Sequence, residues 1–218
     1  MIKLAVFDMD GTICDTIEDL AAASDYALDK MGLPLHTIGE YKSFVGNGIP
    51  KLIECFLPKE RRTDEDKEIA KKHFFDFYSV HFADKTRAYD GIIDLLKALK
   101  DRGIHLAVCT NKAQAMAETV AKTLFGGLFE VVIGEGDRYP LKPDPAAVKA
   151  IMEKYSATAD QTVFIGDSGV DVMTGLNAGV NTIGCTWGFR TAEELKENGA
   201  ELLARTPSDI MQIINSIN

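Results

Sequence analysis

Apolar residues along this chain fall into two textures. Short apolar runs bounded by polar residues recur at Lys3–Phe7, His105–Thr110, Glu130–Ile133, Thr162–Ile165 and Asn181–Cys185. Runs of this length read as buried strands. Between the later runs the spacing becomes helical. Ile92, Leu95, Leu96 and Leu99 repeat at i, i+3, i+4 and i+7, and Gly103 stands where a C-terminal glycine belongs. Pro145–Tyr155 and Asp171–Ala178 also read as helices, the first with proline near its start. Thr206-Pro207-Ser208-Asp209 opens a helix with the apolar stripe Ile210, Ile213, Ile214 and Ile217. Strands that alternate with helices predict an α/β fold, a parallel sheet with helices on both faces.

The stretch between Thr16 and Ala83 carries helical signals and no convincing buried strand. Ile17, Leu20, Ala21, Leu28 and Met31 form an apolar face, with Thr16 and Asp19 as a box-like start and Gly32 as the stop. Thr37-Ile38-Gly39-Glu40 predicts a second capped helix. Ile69, His73, Phe74, Phe77, Tyr78 and His81 line one side of a long, otherwise charged helix. An all-helical block between the first strand and the rest of the α/β pattern predicts an inserted domain. Its bounds are read as residues 15–83, within a core of 1–14 and 84–218, with hinges near Ile13–Thr16 and Ala83–Tyr89.

Composition narrows the function classes. With 218 residues, 46% hydrophobic and 26% charged, the chain has the balance of a soluble globular protein, which excludes disordered and collagen-like classes. A net charge of −9 gives no broad footprint for nucleic acid, so any anion site must draw its positive charge locally. Met1–Phe7 is too short an apolar stretch for a secretory signal, and no apolar run reaches membrane-spanning length. Cys14, Cys55, Cys109 and Cys185 are scattered without zinc spacing, which suits small buried hydrophobes in a reducing cytoplasm. His36, His73, His81 and His105 likewise lack ligand spacing and read as core or interface residues. The aromatic run Phe74, Phe75, Phe77, Tyr78 and Phe82 exceeds one stripe, so a monomer or a homodimer is expected.

The candidate chemistry gathers at strand ends. Asp8-Met9-Asp10-Gly11-Thr12 closes the first strand, Thr110 and Asn111 close the second, Lys142-Pro143-Asp144-Pro145 follows the third, and Gly166-Asp167-Ser168-Gly169-Val170-Asp171 follows the fourth. In open α/β sheets ligands bind beyond the carboxyl ends of the strands. Alternation sends Asp8 and Asp10 to one side, and Gly11 permits a tight turn near an anion. Oxygen ligands suit Mg²⁺, with Asp8 and Asp167 as its anionic donors. Lys142 supplies a point charge for phosphate, and Thr110 and Asn111 can donate to its oxygens. The residue types point to phosphoryl transfer, with one carboxylate as nucleophile and another as proton donor.

These four motifs, in this order over nearly the whole chain, resemble the haloacid dehalogenase superfamily of phosphatases. The resemblance implies a Rossmann-like core, a helical cap and an aspartyl-phosphate mechanism. In it Asp8 is the nucleophile and Asp10 the acid and base. Mg²⁺ is held by Asp8, the Asp10 carbonyl and Asp167, with Asp171 supporting the metal, and Thr110, Asn111 and Lys142 bind the phosphate. Phe44-Val45-Gly46-Asn47-Gly48, Trp187-Gly188-Phe189-Arg190-Thr191 and the Lys142 loop resemble the phosphoglycolate phosphatase-like group. Gly46, Asn47 and Arg190 are then expected to read a small phosphorylated metabolite. Rival readings are a β-phosphoglucomutase-like transferase, a pyrophosphatase or nucleotidase, a phosphonate hydrolase using Lys42 or Lys51, and a binding protein that has lost turnover. Plainer roles also exist: Asp171 as a helix-start acid, Thr110 and Asn111 as caps, Gly46 as a helix-end glycine and Arg190 as a surface charge.

Overall fold

The computed structural model of the chain describes residues 1–136 and 138–217. It divides into two compact units, Met1–Cys14 with Ala88–Asn218, and Asp15–Arg87. The first opens with β1 (Leu4–Phe7), and the chain leaves it through the short β2 (Cys14–Asp15). The helical unit holds α1 (Ile17–Lys30), α2 (Ile38–Phe44), α3 (Ile49–Phe56) and α4 (Asp64–His81). The chain returns through β3 (Arg87–Ala88) to α5 (Ile92–Asp101), β4 (His105–Ala113), α6 (Gln114–Phe125) and β5 (Val131–Glu135). It ends with α7 (Ala146–Lys154), β6 (Thr162–Gly166), α8 (Gly169–Ala178), β7 (Asn181–Cys185), α9 (Ala192–Glu197), β8 (Leu202–Ala204) and α10 (Pro207–Ser216).

Six strands form one sheet in the order β5-β4-β1-β6-β7-β8, and every pairing in it is parallel. β1 sits between β4 and β6, with Leu4 opposite both His105 and Thr162. All four of its residues are buried, which is why its sequence is apolar without alternation. Leu4, Val6 and Phe164 pack with Val148 and Ile151 of α7. Burying such aliphatic side chains stabilises the fold by about 1.5–3 kcal/mol each. The central position of β1 matters for function, because the loop after it meets the loops after β4 and β6.

Several local expectations change in the structure. The five apolar runs are β1 and β4–β7, but β8 has no strong sequence signal. It is three residues long at the sheet edge, and two of them are only half-buried. β4 continues past Thr110 to Ala113, with a slip in its register to β5 between Cys109 and Ala113. Gln114 fills the slip: its side chain accepts from Gly134 N at 2.6 Å and donates to Val132 O at 3.0 Å. α8 begins at Gly169 rather than Asp171, because Ser168 and Asp171 form a capping box.

In the helical unit Thr37 and Glu40 form the expected capping box. Thr16 and Asp19 do not. Thr16 makes no side-chain cap, and Asp19 accepts instead from Lys85 N at 3.0 Å, Thr86 N at 2.8 Å and Thr86 Oγ1 at 2.7 Å. A buried carboxylate satisfied by three donors from the returning segment outcompetes a local cap. Phe74 and Tyr78 of α4 are buried, whereas His81 is half-buried and pairs with Asp84. His36 is held by the Phe56 carbonyl at 2.8 Å and packs edge-on against Tyr41 and Phe44. Among the described residues no helix is long and apolar enough to cross a membrane.

Candidate active site

Asp8 follows β1 directly and donates its backbone N–H to Ile165 O at 2.9 Å, which fixes it at the carboxyl edge of the sheet. Thr110 to Lys112 lie in the last part of the neighbouring β4, and Asp167 follows β6 on the other side. Strand order thus brings three of the four sequence motifs to one edge. The fourth arrives through a long loop: Lys142 Nζ donates to Asp8 Oδ1 at 2.5 Å and to Asp171 Oδ1 at 2.6 Å. That lysine side chain is only 4% exposed, so its charge relies on these two carboxylates.

Asn111 positions the lysine. Its Nδ2 donates to Lys142 O at 3.2 Å and its Oδ1 accepts from Lys142 N at 2.8 Å. The sequence places Asn111 beside the phosphate; the structure gives its amide to the backbone of the lysine loop. Asn177 holds the next residue, donating to Pro143 O at 3.0 Å. The intervening Lys142–Pro143 peptide is cis.

Asp8, Asp167 and Asp171 are buried, and each offers an oxygen within 4.8 Å of the others. Burial, reinforced by the charge of Asp171, pushes the Asp8 carboxyl up to about 7 despite the attraction of Lys142. Burial, with Asp171 and Asp8, pushes Asp167 up to about 8 although Phe189 N and Thr12 donate to it. For Lys142 burial works against the charge, but Asp171 and Asp8 outweigh it and raise its pKa. Lys142 thus pairs with only two of three crowded carboxylates, and burial makes it costly to keep all three ionised together. An all-oxygen, anionic cluster of this kind fits a small hard divalent cation such as Mg²⁺.

Asp167 is clamped by Thr12 and Phe189, which belong to two of the sequence motifs but carry no role of their own in that reading. Thr12 Oγ1 donates to its Oδ1 at 2.9 Å and Phe189 N to its Oδ2 at 2.8 Å. Trp187 Nε1 in turn donates to Thr12 O at 3.0 Å, tying the Trp187–Phe189 segment to the Asp10–Gly11–Thr12 turn. Gly11, at φ +92°, and Gly188 both pass so close that a Cβ on either would overlap the Asp167 side chain. Asp171 is divided between two tasks. Its Oδ1 meets Lys142, and its Oδ2 accepts from Ser168 N at 3.0 Å and Ser168 Oγ at 2.6 Å. The helix-start role and the site role thus coexist in one side chain.

Asp10 does not join the carboxylate cluster. Its Oδ1 accepts from Lys112 Nζ at 3.1 Å. Sequence reasoning passed over Lys112, although it directly follows Thr110-Asn111; its only local signal was a lysine within a strand end otherwise buried. Thr110 is buried, and its Oγ1 accepts from Lys112 N at 3.3 Å. Burial pushes the neighbouring Cys109 thiol up to about 12, so it stays neutral and unreactive. Gly46 and Asn47 lie in the helical unit between α2 and α3, with Gly46 at φ +122°. Arg190 pairs with Glu194 at 3.0 Å at the start of α9.

Residues 5–185 match the family model described as haloacid dehalogenase-like hydrolase. A phosphoglycolate phosphatase of Vibrio parahaemolyticus is 30% identical over 98% of this chain and 96% of its own length. Phosphoglycolate phosphatase 1 of Pseudomonas aeruginosa is 33% identical over 96% of this chain and 78% of its own. A crystal structure from Lactobacillus delbrueckii subsp. bulgaricus, provisionally named a phosphoglycolate phosphatase, superposes with a TM-score of 0.92. Its sequence is 30% identical, covering 97% of this chain and 98% of that one.

Proposed function

This chain belongs to the haloacid dehalogenase-like hydrolase family and is a phosphoric monoester hydrolase, and from that premise we propose that it is a Mg²⁺-dependent phosphatase acting on phosphoglycolate or a related small phosphomonoester through an aspartyl-phosphate. The observation that carries this reading is Asp8 itself: a buried carboxylate at the end of the central strand, 2.5 Å from Lys142 and inside a cluster of three acids. Phosphoglycolate is favoured because both bacterial relatives carry that activity in their names and match nearly the whole of this chain.

In this reading Asp8 attacks phosphorus and becomes the phosphorylated residue. Lys142 neutralises the transferring phosphoryl group, and the Thr110 hydroxyl donates to one of its oxygens. Asp171 and Asn111 hold that lysine in place, one through the ammonium and one through the backbone. Asp10 protonates the leaving oxygen and then takes a proton from the water that hydrolyses the intermediate. Asp8, the Asp10 carbonyl and Asp167 would hold Mg²⁺. When bound, the cation would supply the positive charge that lets two anions, the phosphate and Asp8, approach each other. Most of the catalysis is then positioning and charge neutralisation, which suits residues this fully buried and cross-braced. Four free cysteines suit a reducing, cytoplasmic setting.

The test is release of inorganic phosphate from a panel of esters with Mg²⁺ and with EDTA. The panel holds phosphoglycolate, sugar phosphates including β-glucose 1-phosphate, nucleotides, pyrophosphate and phosphonoacetaldehyde. Metal-dependent release from phosphoglycolate above the rest is the expected result. Conversion of β-glucose 1-phosphate to its isomer without phosphate release would replace the hydrolase reading with phosphoryl transfer. Silence across the panel would overturn it.

A further inference from the structure

We propose that Lys112 is the positioning residue of the acid–base step, fixing which oxygen of Asp10 carries the proton. The inference rests on the phosphatase reading of the same site. Lys112 Nζ lies 3.1 Å from Asp10 Oδ1, with the lysine side chain 3% exposed and that of Asp10 15%. An ammonium so far out of water needs an oxygen to donate to, and Asp10 Oδ1 is within its reach whether or not the carboxyl carries a proton.

The backbone on both sides of this pair is constrained. Lys112 N donates to Thr110 Oγ1 at 3.3 Å. Its carbonyl passes Gly134 so closely that a Cβ there would sit 2.5 Å from the oxygen. Lys112 lies within the slip in β4–β5 register between Cys109 and Ala113. On the other side, Asp10 bridges to Cys14, and Gly11 N donates to Cys14 O at 2.8 Å. A strand end and a tight turn therefore meet at the ion pair.

An ammonium has donors and no acceptor, so the Asp10 oxygen facing it must present a lone pair. With Oδ1 held in this way, the proton of a neutral Asp10 carboxyl resides on Oδ2. As the ester P–O bond breaks, that proton passes from Oδ2 to the leaving oxygen, giving the free alcohol and the Asp10 carboxylate. In the second half, Oδ2 takes a proton from water as the water oxygen bonds to phosphorus. The Asp8–phosphorus bond then breaks, returning the Asp8 carboxylate and inorganic phosphate. Without Lys112 either oxygen can carry the proton and the carboxyl group can rotate, so the productive arrangement becomes one of several.

The experiment compares kcat/KM, which reports the steps up to departure of the leaving group, for two kinds of ester in Mg²⁺ buffer. One is the best alkyl phosphate from the panel; the other is 2,4-dinitrophenyl phosphate, whose leaving group needs no proton. General acid–base help is typically worth about 10²–10⁴-fold, and misplacing the acid should forfeit about 10–100-fold of it. Lys112→Met is expected to lose that much on the alkyl ester and less than about 3-fold on the dinitrophenyl ester. Asp10→Asn should show the same leaving-group pattern more steeply, and Lys112→Arg should recover part of the loss. Equal losses on both esters, or none on the alkyl ester, would overturn the inference. If Lys112→Met does not fold, Lys112→Gln carries the same comparison. Should wild type hydrolyse neither ester, the phosphatase reading itself falls and takes this inference with it. A steep pattern in Asp10→Asn with a flat one in the lysine variants overturns the role of Lys112 alone.

Discussion

The backbone of Gly188 lies against Asp167 so closely that a Cβ at Gly188 would overlap the Asp167 side chain and the Gly11 carbonyl oxygen. The next residue, Phe189, donates its N–H to Asp167 Oδ2 at 2.8 Å. A glycine followed by a donor thus sets the position of a carboxylate assigned to Mg²⁺. Gly188→Ala should push Asp167 out of line and weaken Mg²⁺ binding by about 10–100-fold, the usual effect of disturbing groups that orient a ligand. Calorimetric titration of the metal checks this; an unaltered titration would count against the clamp.

Asp8→Asn should abolish turnover, with a loss on the order of 10⁴-fold or more, because the amide cannot act as the nucleophile. Its fold should survive. The oxygen of the substituted amide can still accept from Lys142, and a charge whose burial pushes the carboxyl up to about 7 is removed. At pH 8 without metal, the melting temperature is expected to match or exceed wild type. A large drop would mean that the Asp8 charge is needed to hold Lys142.

The stability of the metal-free protein and the stabilisation added by Mg²⁺ should change in opposite directions with pH. Asp8 is raised from 3.8 to about 7, and Asp167 from 3.8 to about 8. Between those limits the folded, metal-free protein binds more protons than the unfolded chain, so its stability falls as pH rises. The stabilising protonated forms are complete below the unfolded values and are lost as pH passes through the folded ones. Mg²⁺ competes with the same protons, so the rise in melting temperature that it causes should grow from pH 6 to pH 9. Thermal melts at several pH values, with Mg²⁺ and with EDTA, measure both trends; a metal effect that shrinks toward high pH would contradict the assignment.

Asn111→Ala removes two buried hydrogen bonds to the Lys142 backbone. Each is worth about 1 kcal/mol, so the melting temperature should fall along with kcat. A residue acting only as a phosphate ligand would instead weaken product inhibition by phosphate and leave the melt unchanged. The two readouts together separate a brace from a ligand.

Much of this protein is written locally. The capping box of Thr37 and Glu40, the helical stripe of α5 and the five apolar strand runs depend on groups within a turn or a pleat of each other. The polar residues at strand ends could likewise be located from sequence, because a motif such as Asp8-Met9-Asp10-Gly11-Thr12 interrupts an apolar run. Where a distant partner wins, local reasoning fails. Asp19 reads as part of a helix start, yet it accepts from Lys85 and Thr86, 66 and 67 positions away. β8 was invisible because a short, half-buried edge strand needs no continuous apolar run.

Periodicity and turn chemistry over a few residues are enough for most of the elements, for their order, and for the chemical groups at the strand ends. The tertiary structure decided which of those groups meet. Thr12 reaches Asp167 across 155 positions, Lys142 reaches Asp8 across 134, and Lys112 reaches Asp10 across 102. No local propensity encodes such pairs. They arise because β4, β1 and β6 lie side by side, which brings distant loops to one edge, where burial obliges each charge to find a partner.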